Sequence, residues 1–219
     1  MICDVRKIID RTLTGGPEND PGRLCFVRDG GENIMKKVAY SGIEGAFAHV
    51  VARRLFPDAL HVSCDGFRET YDAVEEGRCD FGILPVENSY AGPVTEVLKM
   101  IDEGSLFVNY EYELPIIQNL LGVRGSRPGD IKRVISHKKA LEQCDRYIRE
   151  KGYEVTEAVN TAVAARSVAR DQNMSVAAIA SLEVAAIYGL KVLDEHINEK
   201  DDNRTRFAVV SRENRTIVI

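Results

Sequence analysis

A single threonine between two arginines is the part of this sequence whose residue types best suit chemistry. Arg204, Thr205 and Arg206 lead into a short apolar run that starts at Phe207 and continues to Val210. The run has strand character, and it would place one hydroxyl and one or two cations at the start of a buried strand. The same pattern is also typical of an ordinary strand start, where threonine is common and arginines are solvated. Whether Thr205 is a functional hydroxyl or an ordinary strand residue depends on which groups from the rest of the chain lie near it.

A second polar group follows the strand predicted at residues 80–85. Glu87, Asn88 and Ser89 come just after it, and Pro93 opens the next predicted helix. In open α/β sheets, ligands bind at the carboxyl ends of strands, so these three side chains are candidates for a binding or catalytic site. Asn88 and Ser89 would serve equally well to form a turn or to cap a helix.

Three further turns from strand to helix offer groups that can hold an anion. They are Gly42 with Gly45, Ser136 with His137, and Asn160 with Thr161. Helix N-termini favour negative ligands because their first amides are unpaired and the helix dipole is positive there. Each turn alone is as typical of a plain turn or a helix cap. Together they predict a pocket for a small carboxylate between two lobes, which suits a solute-binding module as readily as an enzyme.

Composition and charge exclude several classes of protein. The net charge is −5 and the basic residues are scattered, which argues against nucleic acid as a partner. No apolar run approaches the roughly 20 residues that span a bilayer, and the N-terminus lacks a signal peptide's apolar region. We therefore expect a cytoplasmic protein without a membrane partner. The five cysteines lack C-x-x-C spacing, so packed, reduced thiols are expected rather than disulfides or a zinc site.

The elements that must position these groups follow a repeated order of strand, loop and helix. Residues 1–34 are rich in glycine and proline and are expected to form a flexible leader. From Met35 onward the repeated order predicts an α/β fold. Extended segments between residues 106 and 123 are where we expect the chain to cross from one lobe to the other.

Six motifs, taken in order from about Lys37 to Val210, resemble those of the prephenate dehydratases. They are Gly42-Ile43-Glu44-Gly45-Ala46-Phe47, Pro85-Val86-Glu87-Asn88-Ser89 with Gly92, Leu114-Pro115-Ile116, Ser136-His137 with Ala140, Leu141, Gln143 and Cys144, Asn160-Thr161-Ala162, and Asn203-Arg204-Thr205-Arg206-Phe207. Any one of these motifs would be a weak signal. Six in order make the resemblance specific.

The resemblance implies a two-lobed α/β fold like that of type II periplasmic binding proteins, with the active site in the cleft between the lobes. Lobe one would comprise residues 35–112 with 190–219, and lobe two would comprise residues 113–189. The reaction implied is the decarboxylating dehydration of prephenate to phenylpyruvate in phenylalanine biosynthesis. No cofactor or metal is expected, and a homo-oligomer, such as a homodimer, is expected.

The resemblance also assigns roles to the residues. Thr205 would hydrogen-bond the departing oxygen, and Glu87, Asn88 and Ser89 would complete the catalytic group. Glu87 should be paired or protonated, because a bare carboxylate repels a dianion. Arg206 is expected to support the strand, because alternation places it opposite Thr205. The expected substrate-binding positions are Gly45, Ala46, Ser136, His137, Asn160, Thr161, Ala162, Arg206 and Phe207.

Some features depart from the family or leave alternatives open. Ala46 and Ala48 stand where many members carry hydroxyls, so these side chains cannot donate hydrogen bonds. The chain is too short for the family's phenylalanine-binding regulatory domain, so no response to phenylalanine is expected. Arogenate dehydratase and a non-catalytic anion-binding module remain as alternatives, whereas Thr205 disfavours a prephenate decarboxylase.

Overall fold

Two β-sheets organise the part of the chain that the computed structural model describes, residues 35–214. The first run of elements is β1 (Lys37–Ser41), α1 (Phe47–Leu55), β2 (Leu60–Cys64), α2 (Phe67–Glu75), β3 (Phe81–Asn88), β4 (Gly92–Pro93), α3 (Thr95–Glu103) and β5 (Phe107–Pro115). The second is β6 (Asn119–Gly122), β7 (Arg133–Ser136), α4 (Lys138–Gln143), α5 (Asp145–Lys151), β8 (Glu154–Glu157), α6 (Thr161–Asp171), β9 (Val176–Ala180), α7 (Leu182–Tyr188) and β10 (Lys191–Asp194). The chain then returns in β11 (Arg204–Ser211).

The first sheet has the strand order β2-β1-β3-β11-β5, with the short β4 paired to β3. Strands β2, β1 and β3 are parallel, and β11 is antiparallel to both of its neighbours, β3 and β5. The return strand therefore lies inside the sheet, beside the end of β3. This position brings the predicted threonine motif next to the predicted Glu-Asn-Ser motif.

The second sheet has the strand order β10-β6-β9-β7-β8. Its central strand, β9, has the sequence Val-Ala-Ala-Ile-Ala, and all five residues are buried. A continuous apolar run of this kind is typical of a strand with helices on both faces. One core cluster packs Ile179 against Leu141 and Ile148, and another, on the opposite face, packs Ala178 against Ala165 and Val184.

Two connecting segments join the sheets and lie side by side. The Ile116 amide donates to the Asn203 carbonyl at 2.8 Å, and the Ile197 amide donates to the Gln118 carbonyl at 2.9 Å. The Gln118 amide also donates to Asn198 Oδ1 at 3.0 Å. The lobes are thus connected by two segments that are hydrogen-bonded to each other.

The predicted α/β fold with two lobes is confirmed, whereas the exact boundaries between the lobes differ. Strand β5 continues to Pro115 in the first sheet, beyond the predicted boundary at residue 112. Strand β10 pairs with β6 in the second sheet, so the chain returns to the first lobe at β11 rather than at residue 190. The hydrophobic periodicity of the sequence could not assign β10 to a sheet, because a four-residue strand fits either one. The leader predicted at residues 1–34 lies outside the described residues.

Among the described residues, none of the helices is both long and apolar enough to cross a membrane. Cys64, Cys79 and Cys144 are buried free thiols, as predicted for packed cysteines. The other two cysteines, Cys3 and Cys25, lie outside the described residues.

Candidate active site

A cleft of about 550 Å³ lies between the two lobes and contains the predicted threonine. Its described lining consists of Ser41, Gly42, Ala46, Phe47, Ala48, Asp65, Gly66, Phe67, Pro85, Glu96, Asn160, Thr161, Thr205 and Phe207. Most of these residues come from the first lobe, and Asn160 and Thr161 come from the second. The cleft therefore collects four of the predicted motifs around one space.

Thr205 lies on β11 directly opposite Asn88 on β3. The Asn88 side-chain nitrogen, Nδ2, lies 3.0 Å from Thr205 Oγ1, 2.9 Å from Asn203 Oδ1 and 3.0 Å from the Arg204 carbonyl oxygen. The amide thus faces three acceptors. The predicted proximity of the two motifs is observed as direct contact between their side chains.

Backbone donors fix the orientation of the Asn88 amide. Its Oδ1 accepts from the Tyr90 amide at 3.1 Å and from the Ala91 amide at 3.0 Å. Because the oxygen must face these two donors, the nitrogen must face Thr205. Thr205 Oγ1 is therefore an acceptor in this contact, and its hydroxyl proton is directed to another partner.

Ser89 ties the same loop to the start of β11. Its Oγ donates to the Asp202 carbonyl at 3.1 Å and accepts from the Arg204 amide at 3.0 Å. The Ser89 amide in turn donates to the Arg204 carbonyl at 3.0 Å. The cleft lining does not include Ser89, so its visible role is to hold the strand that carries Thr205.

Glu87 and Arg206 form a pair on the other face of these two strands. They are register partners between β3 and β11, and Arg206 Nη2 lies 2.5 Å from Glu87 Oε2. Arg206 Nε also lies 3.5 Å from a carboxylate oxygen of Glu111. Because Thr205 and Phe207 line the cleft, alternation turns the residue between them away from it. The pairing expected for Glu87 is observed, but neither charge lines the cleft.

Helix N-termini provide partial positive charge in the cleft, whose only formally charged lining residues among those described are Asp65 and Glu96. The first amides of α1, at Phe47 and Ala48, and of α6, at Thr161 and Ala162, have no partner within their helices. Neither helix has an acidic residue in its first turn. Asn160 caps α6 by accepting from the Val163 amide at 2.7 Å. Since the described lining contains no lysine or arginine, a bound carboxylate would depend on these amides and dipoles.

Gly45 fits the first loop against the second lobe. Its φ of +89° is in the left-handed region, and a Cβ there would lie 3.2 Å from Val184 Cγ2 and 3.4 Å from Ala162 Cβ. The Tyr188 hydroxyl also donates to the Glu44 carbonyl at 2.6 Å. A larger residue at position 45 would therefore push the lobes apart at this side of the cleft.

Ser136 and His137 lie outside the described cleft lining. Ser136 is fully buried, and its Oγ donates to the Ile179 carbonyl at 2.6 Å. His137 caps α4, where its Nδ1 accepts from the Lys139 amide at 3.3 Å. Both side chains therefore have structural contacts within the second lobe: His137 caps α4, as in the capping alternative, whereas Ser136 joins β7 to β9.

Sequence reasoning missed several residues of the cleft and its support. Asp65, Gly66 and Phe67 come from the start of α2, and Glu96 comes from the first turn of α3. His49, buried in α1, accepts a hydrogen bond from the Gly45 amide. A histidine within a helix that follows a glycine loop was the available signal for His49, whereas Asp65 and Glu96 looked like ordinary surface charges.

A sequence model of the family described as prephenate dehydratase matches residues 38–215. The chain is 36% identical over 183 residues to arogenate dehydratase/prephenate dehydratase 1 of Arabidopsis thaliana, described as chloroplastic, covering 84% of this chain and 47% of that protein. The chain thus spans about half the length of the curated relatives it matches.

Solved structures share the fold. The prephenate dehydratase of Arthrobacter aurescens, solved in complex with L-Phe, matches with a TM-score of 0.73 and 31% identity, covering 81% of this chain and 60% of that one. A structure described as GqqA, a novel type of quorum quenching acylase, matches with a TM-score of 0.75 and 31% identity, covering 81% and 64%. The fold predicted from the motifs is therefore the fold of these relatives.

Proposed function

Because the chain belongs to the prephenate dehydratase family, we propose that it is a carbon–oxygen lyase that converts prephenate to phenylpyruvate, CO2 and water in phenylalanine biosynthesis. The single observation that carries this proposal is the Thr205 hydroxyl. It lines the cleft and accepts from Asn88 Nδ2, so its own proton can be donated to a substrate oxygen.

The chemistry asks little of the protein. The bond from the ring to its carboxylate breaks, the electron pair moves into the ring, and the bond to the ring hydroxyl breaks as the ring becomes aromatic. Aromatisation drives these steps, so the site has to hold the substrate and stabilise the departing oxygen. Thr205 would donate a hydrogen bond to that oxygen as negative charge develops on it. The hydroxide takes up a proton from solvent and leaves as water, so that prephenate and one proton give phenylpyruvate, CO2 and water.

The helix starts would hold the carboxylates. Phe47 and Ala48 line the cleft from the first lobe and Thr161 lines it from the second, and each carries one of the first amides of its helix. Phe207 and Phe67 offer apolar surface for the ring. Two groups of donors on opposite lobes suit a substrate with two carboxylates, here the ring carboxylate and the side-chain carboxylate that both extend from one ring carbon.

The other predicted site residues would act by support. Asn88 would orient the Thr205 hydroxyl, and Ser89 would hold the strand. Glu87 and Arg206 neutralise each other behind the site. Gly45 lets the first loop close against the second lobe, and Ser136 and His137 would stabilise the second lobe from which the α6 amides reach the cleft.

Arogenate is a second candidate substrate, favoured by one observation. Asp65 and Glu96 both line the cleft, and no described residue forms an ion pair with either side chain. Arogenate carries an ammonium group where prephenate carries a ketone, and an ammonium is attracted to carboxylates. The Arabidopsis relative is named for both activities, so we carry arogenate dehydratase as the alternative.

An acylase activity like that named for GqqA has less support. Amide hydrolysis by a threonine requires a base that takes the hydroxyl proton. The described partner of Thr205 Oγ1 is the Asn88 NH2 group, which is a donor.

We further propose that the protein acts in the cytoplasm as a homo-oligomer and binds neither nucleic acid nor membrane.

The test is incubation of the purified protein with prephenate, and separately with arogenate, at neutral pH. Phenylpyruvate formed from prephenate is followed by its ultraviolet absorbance in alkali, and phenylalanine formed from arogenate is followed by chromatography. Turnover of prephenate supports the main proposal, and turnover of arogenate alone supports the second candidate. Binding of both compounds without turnover would instead indicate a binding module.

A further inference from the structure

His49 lies behind the first glycine loop and contacts it directly. It is 4% exposed, and its Nδ1 lies 3.0 Å from the Gly45 amide nitrogen. Its ring packs against the Tyr40 ring at 4.7 Å and against the His61 ring at 5.5 Å, measured between centroids. The imidazole is therefore held in place on the inner side of α1.

The hydrogen bond defines the state of the ring. A backbone amide can only donate, so Nδ1 must be unprotonated and the proton must reside on Nε2. Burial, together with the nearby charges of His61 and Arg53, lowers the pKa of His49 to about 4. The ring is thus neutral at physiological pH.

The position of His49 resembles one half of a capping box. His49 is the third residue of α1, where glutamate or glutamine commonly reaches back to accept from an amide before the helix. Ala46, at the N-cap, provides no side-chain cap. A glutamate at position 49 would cap the chain equally well, but it would place a negative charge beside the amides that face the cleft.

We propose that His49 is a positioning residue of the active site: its neutral ring holds the Gly45 amide and leaves the start of α1 free of negative charge for a substrate carboxylate. This inference rests on the proposed function, since it takes the bound group to be the substrate's carboxylate. Without the acceptor, the Gly45 amide would lose its partner, and the loop that fits against Val184 and Ala162 would move. The amides of Phe47 and Ala48 follow that loop directly.

The matched test is the pair His49→Asn and His49→Asp. In both variants Oδ1 is as many bonds from Cα as Nδ1 is in histidine, so both can accept from the Gly45 amide, and they differ only in charge. We expect His49→Asn to keep KM within about threefold and His49→Asp to raise it at least about tenfold, with little change in kcat for either. His49→Phe, which removes the acceptor, should also raise KM about tenfold. His196→Gln is the control for loss of a histidine away from the cleft, since the His196 ring contacts Asp201, and it should leave KM unchanged.

A spectroscopic readout keeps the inference testable if a variant fails to fold. In the parent protein labelled with 15N-histidine, two-bond correlation spectra should show His49 with Nδ1 unprotonated and Nε2 protonated at neutral pH. Two results would overturn the role of His49 without affecting the proposed function. One is the opposite tautomer, and the other is equal KM values for His49→Asn and His49→Asp when the parent protein is active. A parent that turns over neither prephenate nor arogenate overturns the proposed function, and this inference with it.

Discussion

Asn88 Nδ2 lies 3.0 Å from Thr205 Oγ1, across the register pair that joins β3 to β11. The contact is between a donor whose orientation is fixed by two backbone amides and a hydroxyl that lines the cleft. It reverses the simplest expectation for a catalytic hydroxyl, which is that a base removes its proton. Here the hydroxyl keeps its proton, and the contact makes it a better hydrogen-bond donor to the departing oxygen.

Replacing Thr205 by valine should remove catalysis and leave the fold intact. Valine is nearly isosteric and suits a strand, so the melting temperature and ground-state binding should change little. We expect kcat to fall on the order of 10²–10³-fold, as when one donor of an oxyanion hole is removed. Thr205→Ser should keep much of the activity because it keeps the donor. Steady-state kinetics and melting curves on both variants check this, and full activity in Thr205→Val would refute the role of the hydroxyl.

Replacing Asn88 by aspartate should separate its two functions. A carboxylate can still accept from the Tyr90 and Ala91 amides, so the turn after β3 should remain. It cannot donate to Thr205, and it would face the acceptor oxygens of Asn203 and Arg204. We expect kcat to fall by about tenfold or more at neutral pH and to recover partly at lower pH, where the new carboxyl group is protonated and can donate. A pH profile of kcat without this recovery would contradict the assignment.

The sequence predicted the elements of the fold well because each has a strong local pattern. The all-apolar β9 and the helix after Gly45 are examples, and the six motifs indicated the family that the comparisons confirmed. It could not place β10, because a short strand has no preferred sheet. Asn88 and Thr205 were predicted to belong to one catalytic group, but the direction of the hydrogen bond between them depends on the Tyr90 and Ala91 amides, which no pattern marks.

Other site predictions depended on contacts that are distant along the chain. Ser136 and Asn160 both lie in a turn from strand to helix, yet Asn160 lines the cleft, whereas Ser136 donates to Ile179 inside the second lobe. Which of these side chains lines the cleft depends on how the two lobes pack, which is a tertiary property. Asp65 and Glu96 were missed for the same reason, since each is unremarkable within its own helix start.

Neutralising Glu87 should have a small effect. The Glu87 and Arg206 side chains are 46% and 45% exposed, and exposed ion pairs contribute at most about 1 kcal/mol. We expect Glu87→Gln to keep kcat within about threefold, because the carboxylate does not line the cleft. Urea unfolding and steady-state kinetics measure the two effects. A fall in kcat on the order of 100-fold, with stability unchanged, would instead give Glu87 a part in the chemistry.

Acid should destabilise the protein partly through His49. Its pKa of about 4 in the folded protein lies below the ordinary value of 6.5, so the unfolded chain binds the proton more tightly. The stabilisation is complete above about pH 6.5 and is lost as the pH falls from there towards 4. At pH 5 the loss should reach up to about 2 kcal/mol. Urea midpoints at pH 7.5 and 5 should therefore differ less in His49→Asn than in the parent protein, and equal differences would contradict this account.

The carboxylates of Asp65 and Glu96 should decide the preference between prephenate and arogenate. Both substrates carry two carboxylates, so repulsion from Asp65 and Glu96 is common to both and cancels in the ratio of their kcat/KM values. Attraction to the ammonium group is present only with arogenate, and an accessible pair of this kind contributes about 1 kcal/mol or less. Asp65→Asn and Glu96→Gln should each lower the ratio of arogenate to prephenate kcat/KM by up to about fivefold, and the double variant should lower it further. Thr161→Val is the control, because it changes the lining without changing its charge and should leave the ratio intact. If both charge variants also leave the ratio intact, the ammonium does not bind near these residues, and the observation that favours arogenate loses its force.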